Sequence, residues 1–123
     1  MARILVVDDE LHLRILYKKE FESEGHKVEV AANDREAFGA MTTFEPDVVI
    51  LDIELGDGNG LEFLNQLRQN FNKSGVILHT AFTTYKSDFQ SWLADDYIIK
   101  SSDLKPLKEA INKLLDKESC ERG

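Results

Sequence analysis

Three short apolar runs in this chain each stop at a charged residue. Residues 4–7 (ILVV) are followed by Asp8 and Asp9, residues 48–51 (VVIL) by Asp52, and residues 97–99 (YII) by Lys100. Short β-branched runs bounded by polar residues are typical of strands buried on both faces of a parallel sheet. Ligands of such sheets bind at the carboxyl ends of the strands. We therefore expect three carboxylates and one lysine to meet in one crevice.

Placing these acids together is unfavourable unless something neutralises them. Two like charges about 4 Å apart repel by roughly 4 kcal/mol at an effective dielectric near 20. A chain that gathers such charges at one edge of a sheet has a chemical use for them. A divalent cation is the expected counter-charge.

The rest of the sequence alternates between strand and helix signals. Gly25 suits the left-handed turn after a first helix, Asn33 or Asp34 caps a second, and Pro46 separates that helix from the third strand. Five strands alternate with five helices, the fourth helix being predicted near residues 85–93. At 123 residues the chain is too short for eight βα units, which need about 250. We predict an α/β fold of the flavodoxin-like type, a five-stranded parallel sheet in the order 2-1-3-4-5 with helices on both faces.

Composition narrows the function classes. A formal net charge of −8 argues against direct binding to nucleic acid or to an anionic membrane surface and favours a basic partner. No apolar run approaches the roughly 20 residues of a membrane span, and no signal-peptide pattern precedes the first strand, so we expect a cytoplasmic protein. Residues 1–117 form one predicted domain, followed by a polar tail at 118–123 that contains the single cysteine, Cys120.

The charged strand ends resemble the receiver domain of two-component response regulators. The resemblance rests on Asp8-Asp9, Asp52, Thr80 and Lys100 after strands one, three, four and five, and it covers about residues 2–117. The spacing from Asp52 to the Asn-Gly pair at 59–60 also fits. It implies a domain that takes phosphate from a histidine kinase or a phosphotransfer protein. It further implies an interaction with a downstream protein target or an attached output domain.

The resemblance assigns the phosphoacceptor and a magnesium site. A carboxylate can act as a nucleophile and form an acyl phosphate, and Asp52 is the predicted acceptor. Mg²⁺ prefers oxygen ligands and keeps several waters. By resemblance, Asp9 and Asp52 bind it directly, Asp8 holds a metal-bound water, and the backbone carbonyl of Glu54 adds an oxygen.

The resemblance also assigns a phosphate-binding set and a switch. Lys100 acts as a point charge on a phosphoryl oxygen, while the Thr80 hydroxyl and the Ala81 backbone amide donate to others. Movement of Thr80 toward the phosphate frees space for the Tyr97 ring, which changes the surface of the predicted fourth helix, the fifth strand and the last helix. Such a domain catalyses only its own phosphorylation and dephosphorylation, and in that sense is not an enzyme.

Several residues depart from the usual pattern of that family. Ser101 replaces a proline whose preceding bond is commonly cis, so a trans Lys100–Ser101 bond is predicted. Gly56 replaces another proline and loosens its loop. Glu54 and Phe82 occupy positions that modulate phosphate loss, and we hypothesise that they prolong the phosphorylated state.

Other interpretations remain open from the sequence. Asp8, Asp9 and Glu10 could simply stabilise the start of a helix through its dipole. A small Mg²⁺-dependent phosphatase with an aspartyl-phosphate intermediate is the alternative function, with Glu54 as a partial match to its second acid. A flavin carrier of the same fold is disfavoured because the acids after strand one would repel the cofactor phosphate. His79, next to Thr80, is interpreted as a buried core residue.

Overall fold

The computed structural model describes residues 2–52, 60–71, 74–80 and 94–122. Its strands are β1 (Arg3–Val7), β2 (Lys27–Ala31), β3 (Val48–Leu51), β4 (Gly75–Thr80) and β5 (Asp96–Ile99). The helices of the described residues are α1 (Leu11–Ser23), α2 (Asp34–Thr43), α3 (Gly60–Asn70) and α4 (Lys105–Arg122). The helix predicted near residues 85–93 lies outside the described residues.

All four strand pairings are parallel, and the sheet order is β2-β1-β3-β4-β5. This confirms the predicted fold class. Strands β1 and β3 are neighbours although a helix, a strand and another helix separate them in sequence, and Val7 pairs with Leu51 at their ends. The residues that follow these two, Asp8 and Asp52, are therefore side by side.

Alternating residues of the strands contribute to two apolar layers, one on each face of the sheet, because successive side chains of a strand point to opposite faces. One layer packs against α2 and α3 and includes Leu5, Val49, Leu78, Phe63 and Leu64. The other packs against α1 and α4 and includes Ile4, Ile50, Ile77, Phe21 and Ile111. The central strands β1, β3 and β4 are consequently buried on both faces, apart from Arg3 at the start of β1.

One sequence expectation about burial is wrong. The apolar run of β5 is only partly buried, with Ile99 37% exposed, because β5 lies at an edge of the sheet. In α1, Tyr17 and Phe21 face the core, but Leu16 is 43% exposed. The buried face of this helix is therefore narrower than its set of apolar residues.

Local signals in the sequence define several element boundaries. Gly25 has φ +91°, as predicted, and the amides of Gly25 and His26 donate to the carbonyls of Glu22 and Phe21, which satisfies the end of α1. Asn33 caps α2, its side chain accepting from the Glu36 amide at 2.9 Å.

Among the described residues, no helix combines the length and apolar character that a membrane crossing needs.

Candidate phosphoryl-transfer site

The carboxyl ends of β1, β3 and β5 bring a lysine between two buried carboxylates. Lys100 Nζ lies 2.7 Å from Asp8 Oδ2 and 2.8 Å from Asp52 Oδ2. The exposed fraction is 2% for Asp8 and 5% for Asp52. Because both oxygens contact the same nitrogen, they cannot be further apart than the two contact distances combined. The acids that end the first and third strands thus share one pocket.

Backbone hydrogen bonds carry the sheet one residue past each strand and fix these positions. The Asp52 amide donates to the Val7 carbonyl at 2.9 Å, and the Asp8 amide donates to the Ala31 carbonyl at 3.0 Å. On the other side of the sheet, the Lys100 amide donates to the Thr80 carbonyl at 2.7 Å. The charged residues therefore directly continue the hydrogen-bonded strand ends.

The two carboxylates determine the protonation of Lys100. Burial would lower the pKa of the ammonium group, but hydrogen bonds and charge attraction from Asp52 and Asp8 outweigh burial, so the pKa of Lys100 is raised above its ordinary value. The lysine is fully charged at neutral pH. Removing it would leave two buried acids facing each other.

A group of oxygen ligands lies beside this lysine. Carboxylate oxygens of Asp8, Asp9 and Glu10 are all within 4.8 Å of one another, and Asp9 and Glu10 are exposed while Asp8 is buried. Magnesium binds oxygens at about 2.0–2.1 Å, which puts two of its ligands about 3–4 Å apart. An all-oxygen set of this spacing, with Asp52 next to it, fits such an ion. Glu10 was not among the metal ligands predicted from the sequence.

Thr80 and Tyr97 lie on neighbouring strands. Thr80 ends β4 and is fully buried, and Leu78, two residues earlier, pairs with Tyr97 of β5. The Tyr97 ring is partly buried against the apolar layer that contains Leu78. Since Thr80 and Leu78 are two residues apart on one strand, their side chains are on the same face as this ring. The Lys100–Ser101 bond is trans, as predicted.

His79 is a buried core residue, as the sequence indicated. It is 2% exposed, and its ring centroid lies 5.3 Å from that of Tyr17 on α1. Its Nδ1 atom is buried and has no hydrogen-bond partner among the residues that the structure describes. Burial first, and then the positive charge of Lys100, lower the pKa of His79 to about 4, against a smaller opposing effect of Asp8.

Burial also shifts the pKa of the Tyr17 hydroxyl, in this case upward. The positive charge of Lys100 lowers this pKa, whereas the nearby acids raise it further. Neither ring is charged at neutral pH. The layer beneath the acidic pocket is therefore neutral, and the charges of the site stay at the strand ends.

Three predicted site features lie outside the described residues: the Glu54 carbonyl, the Ala81 amide and the Phe82 ring. A contact that sequence analysis missed is made by Arg14, whose Nη1 donates to the Asp8 carbonyl at 2.7 Å. A basic residue in the first turns of the helix that follows an acidic loop was the available signal.

Comparisons with known proteins give one consistent result. A family model described as the response regulator receiver domain matches residues 4–112. Response regulator protein TrrA of Thermotoga maritima, solved in complex with Mg²⁺-BeF, is 43% identical with a TM-score of 0.88, over 93% of this chain and 99% of that one. TrrA has also been solved in complex with the histidine kinase ThkA.

Among curated proteins, the transcriptional regulatory protein TrcR of Mycobacterium tuberculosis is 37% identical over 95% of this chain. The regulatory protein AtoC of Escherichia coli is 31% identical over 98% of this chain. The chain spans 46% of the length of TrcR and 26% of that of AtoC.

Proposed function

The chain belongs to the response regulator receiver domain family, and on that premise we propose that Asp52 accepts a phosphoryl group from a phosphohistidine. A carboxylate oxygen of Asp52 attacks the phosphorus, the phosphorus–nitrogen bond breaks, and its electron pair stays on the donor imidazole. The product is an acyl phosphate on Asp52. The observation that carries this proposal is the single ammonium group of Lys100, shared by Asp8 and Asp52.

Lys100 and Thr80 are the proposed phosphate-binding side chains. Phosphoryl transfer needs positioned groups that neutralise the negative charge on the oxygens of the transferred phosphoryl group. The Lys100 ammonium lies 2.8 Å from an Asp52 oxygen, within reach of a phosphoryl group attached there. Thr80 ends the strand whose last carbonyl binds the Lys100 amide, so its hydroxyl is held at the same end of the sheet. The Ala81 amide completes the proposed set.

The acids are proposed to hold Mg²⁺. Asp9 and Asp52 would bind it directly, Asp8 would hold a water bound to it, and the Glu54 carbonyl would supply a further oxygen. A bound Mg²⁺ would offset the repulsion between the incoming dianion and the carboxylates. Supporting this assignment are the oxygens of Asp8, Asp9 and Glu10 within 4.8 Å of one another and the Mg²⁺-BeF complex of TrrA.

The proposed donor is a histidine kinase or a phosphotransfer protein, in line with the TrrA–ThkA complex. The proposal includes the cytoplasmic location expected from the sequence. The proposed chemistry is confined to the chain's own phosphorylation and dephosphorylation. The proposed output is a protein surface, read by a downstream target or by an attached output domain.

Intact mass after incubation with acetyl phosphate tests the acceptor. We expect one added phosphoryl group in the presence of Mg²⁺ and none with a chelator or in Asp52→Asn. Asp47→Asn is the matched control, because Asp47 precedes the same strand at the opposite end of the sheet and binds the Arg3 amide there. Phosphorylation of Asp52→Asn at the wild-type level would refute the assignment, and rapid multiple turnover of acetyl phosphate would favour the phosphatase alternative.

Tyr97 is the proposed reporter of phosphorylation. Its ring and the Thr80 side chain are on the same face of adjacent strands, so a shift of Thr80 toward a phosphate on Asp52 changes the space beside the ring. Hydrogen exchange of residues 94–100 with and without acetyl phosphate measures the response. Tyr97→Ala should lose most of the phosphorylation-dependent change, whereas Tyr97→Phe, which keeps the ring, should retain it. An unchanged response in Tyr97→Ala would exclude the reporter role.

A further inference from the structure

A guanidinium group reaches back from α1 to the loop that carries the acids. Arg14 is partly buried, and its Nη1 donates to the Asp8 carbonyl at 2.7 Å. We propose that Arg14 is a positioning residue of the phosphoryl-transfer site, which holds the peptide between Asp8 and Asp9 in the orientation that presents Asp9 to the cation. The inference rests on the proposed function, since that function gives Asp9 its role.

The other described contacts of Asp8 involve its amide and its carboxylate, whereas Arg14 binds its carbonyl. Its amide donates to the Ala31 carbonyl, Oδ1 accepts from the Glu10 amide at 2.9 Å, and Oδ2 accepts from Lys100. The Asp8 carbonyl and the Asp9 amide belong to one planar unit. Rotation of that unit would alter the backbone angle at Asp9 and swing its carboxylate away from the neighbouring acids. The Arg14 contact opposes that rotation.

The start of α1 makes this contact more important. Its N-cap residue, Glu10, forms no side-chain capping hydrogen bond. The Arg14 amide donates to the Glu10 carbonyl at 3.1 Å, so Arg14 is tied by its backbone to one end of the acidic loop and by its side chain to the other. One residue thus brackets Asp9 and fixes the loop to the helix.

Charge and geometry predict opposite effects of removing Arg14. If Arg14 acted only as a positive charge near the acids, its removal would tighten Mg²⁺ binding, because a repulsive cation would be lost. If it positions the loop, its removal weakens Mg²⁺ binding. Groups that orient metal ligands typically contribute about 10- to 100-fold in metal affinity. We therefore expect Arg14→Met to weaken Mg²⁺ binding by about tenfold.

Arg14→Lys separates the two explanations a second time. Lysine keeps the charge but lacks the planar fork of arginine and ends in a compact ammonium group. A charge-only role predicts an unchanged Mg²⁺ affinity, whereas positioning predicts a weaker one. Lys18→Met is the matched control, because Lys18 lies one turn later on α1 and donates to the Val28 carbonyl at 2.9 Å. Its ammonium group also pairs with Glu22 at 3.3 Å, so both of its contacts lie away from the acids of the site.

The experiment measures the Mg²⁺ dissociation constant of the full chain by isothermal titration calorimetry, with urea unfolding to confirm that each variant is folded. We expect weaker binding in Arg14→Met and Arg14→Lys and a change below twofold in Lys18→Met. At saturating Mg²⁺, both Arg14 variants should recover most of the wild-type rate of phosphorylation by acetyl phosphate, which a general folding defect would not allow.

Unchanged or tighter Mg²⁺ binding in a folded Arg14→Met variant would overturn the inference. If that variant does not fold, wild-type affinity in Arg14→Lys would overturn it instead. Failure of the proposed function has a different signature, a wild-type chain that binds Mg²⁺ but is not phosphorylated on Asp52.

Discussion

Replacing His79 with leucine is expected to remove a large part of the protein's sensitivity to acid. The His79 imidazole is 2% exposed, and its Nδ1 has no hydrogen-bond partner in the described part of the chain. Its pKa is lowered from 6.5 to about 4, mainly by burial. Above pH 6.5 the ring is neutral in the folded and unfolded states and does not affect the pH dependence. Below pH 6.5, the imidazole binds a proton in the unfolded chain but not in the folded protein. The free energy of unfolding therefore falls as the pH falls toward 4.

The magnitude follows from the two pKa values. One unit of difference corresponds to about 1.4 kcal/mol. Between pH 7 and pH 5 this histidine should lower the free energy of unfolding by about 2 kcal/mol, and by pH 4 by about 3 kcal/mol. His79→Leu should abolish this contribution to the loss of stability at low pH. At pH 7 the variant should be more stable by about 1 kcal/mol, since it no longer buries an unpaired polar atom.

Urea unfolding of the wild type and the variant at pH 7 and pH 5 measures the difference. Carboxylates also respond to acid, but they are common to both proteins and cancel when the two pH dependences are compared. Ile77→Val, on the same face of β4, is the control and should weaken stability equally at both pH values because it changes no titrating group. An equal loss of stability between pH 7 and pH 5 in His79→Leu and the wild type would refute the argument.

Three further predictions concern stability and are checked by urea unfolding. Lys100→Met should lower the free energy of unfolding by about 3 kcal/mol in the presence of a chelator, because two buried carboxylates lose their shared partner. Added Mg²⁺ should restore part of this lost stability. A stability that does not respond to Mg²⁺ would contradict the proposed metal site. Asn33→Ala should cost about 1 kcal/mol through loss of the hydrogen bond to the Glu36 amide. Leu16→Gln should change stability by less than about 0.5 kcal/mol, whereas Phe21→Ala, at a fully buried position, should cost about 4 kcal/mol.

The strand ends show how far a sequence pattern can reach. Apolar runs that stop at Asp8, Asp52 and Lys100, alternating with helical segments, predicted a parallel sheet with its charges at one edge, because crossover handedness and chain length leave few arrangements. Gly25 and Asn33 were equally readable, since a left-handed turn and a helix cap each depend on a few neighbouring residues. The roles of the site residues in phosphoryl transfer remain predictions.

Other features depended on contacts between residues far apart in the chain. The sequence alone did not indicate that one lysine would bridge two acids, that Arg14 would bind a carbonyl in the preceding loop, or that β5 and one side of α1 would remain exposed. The spacing of apolar residues indicates which residues share a face of a helix or strand. How much of that face is buried depends on the elements that pack against it. The sequence by itself determined which groups gather at the end of the sheet, and the tertiary structure decided which atoms meet there, because hydrogen bonds require distances that only the packed chain sets.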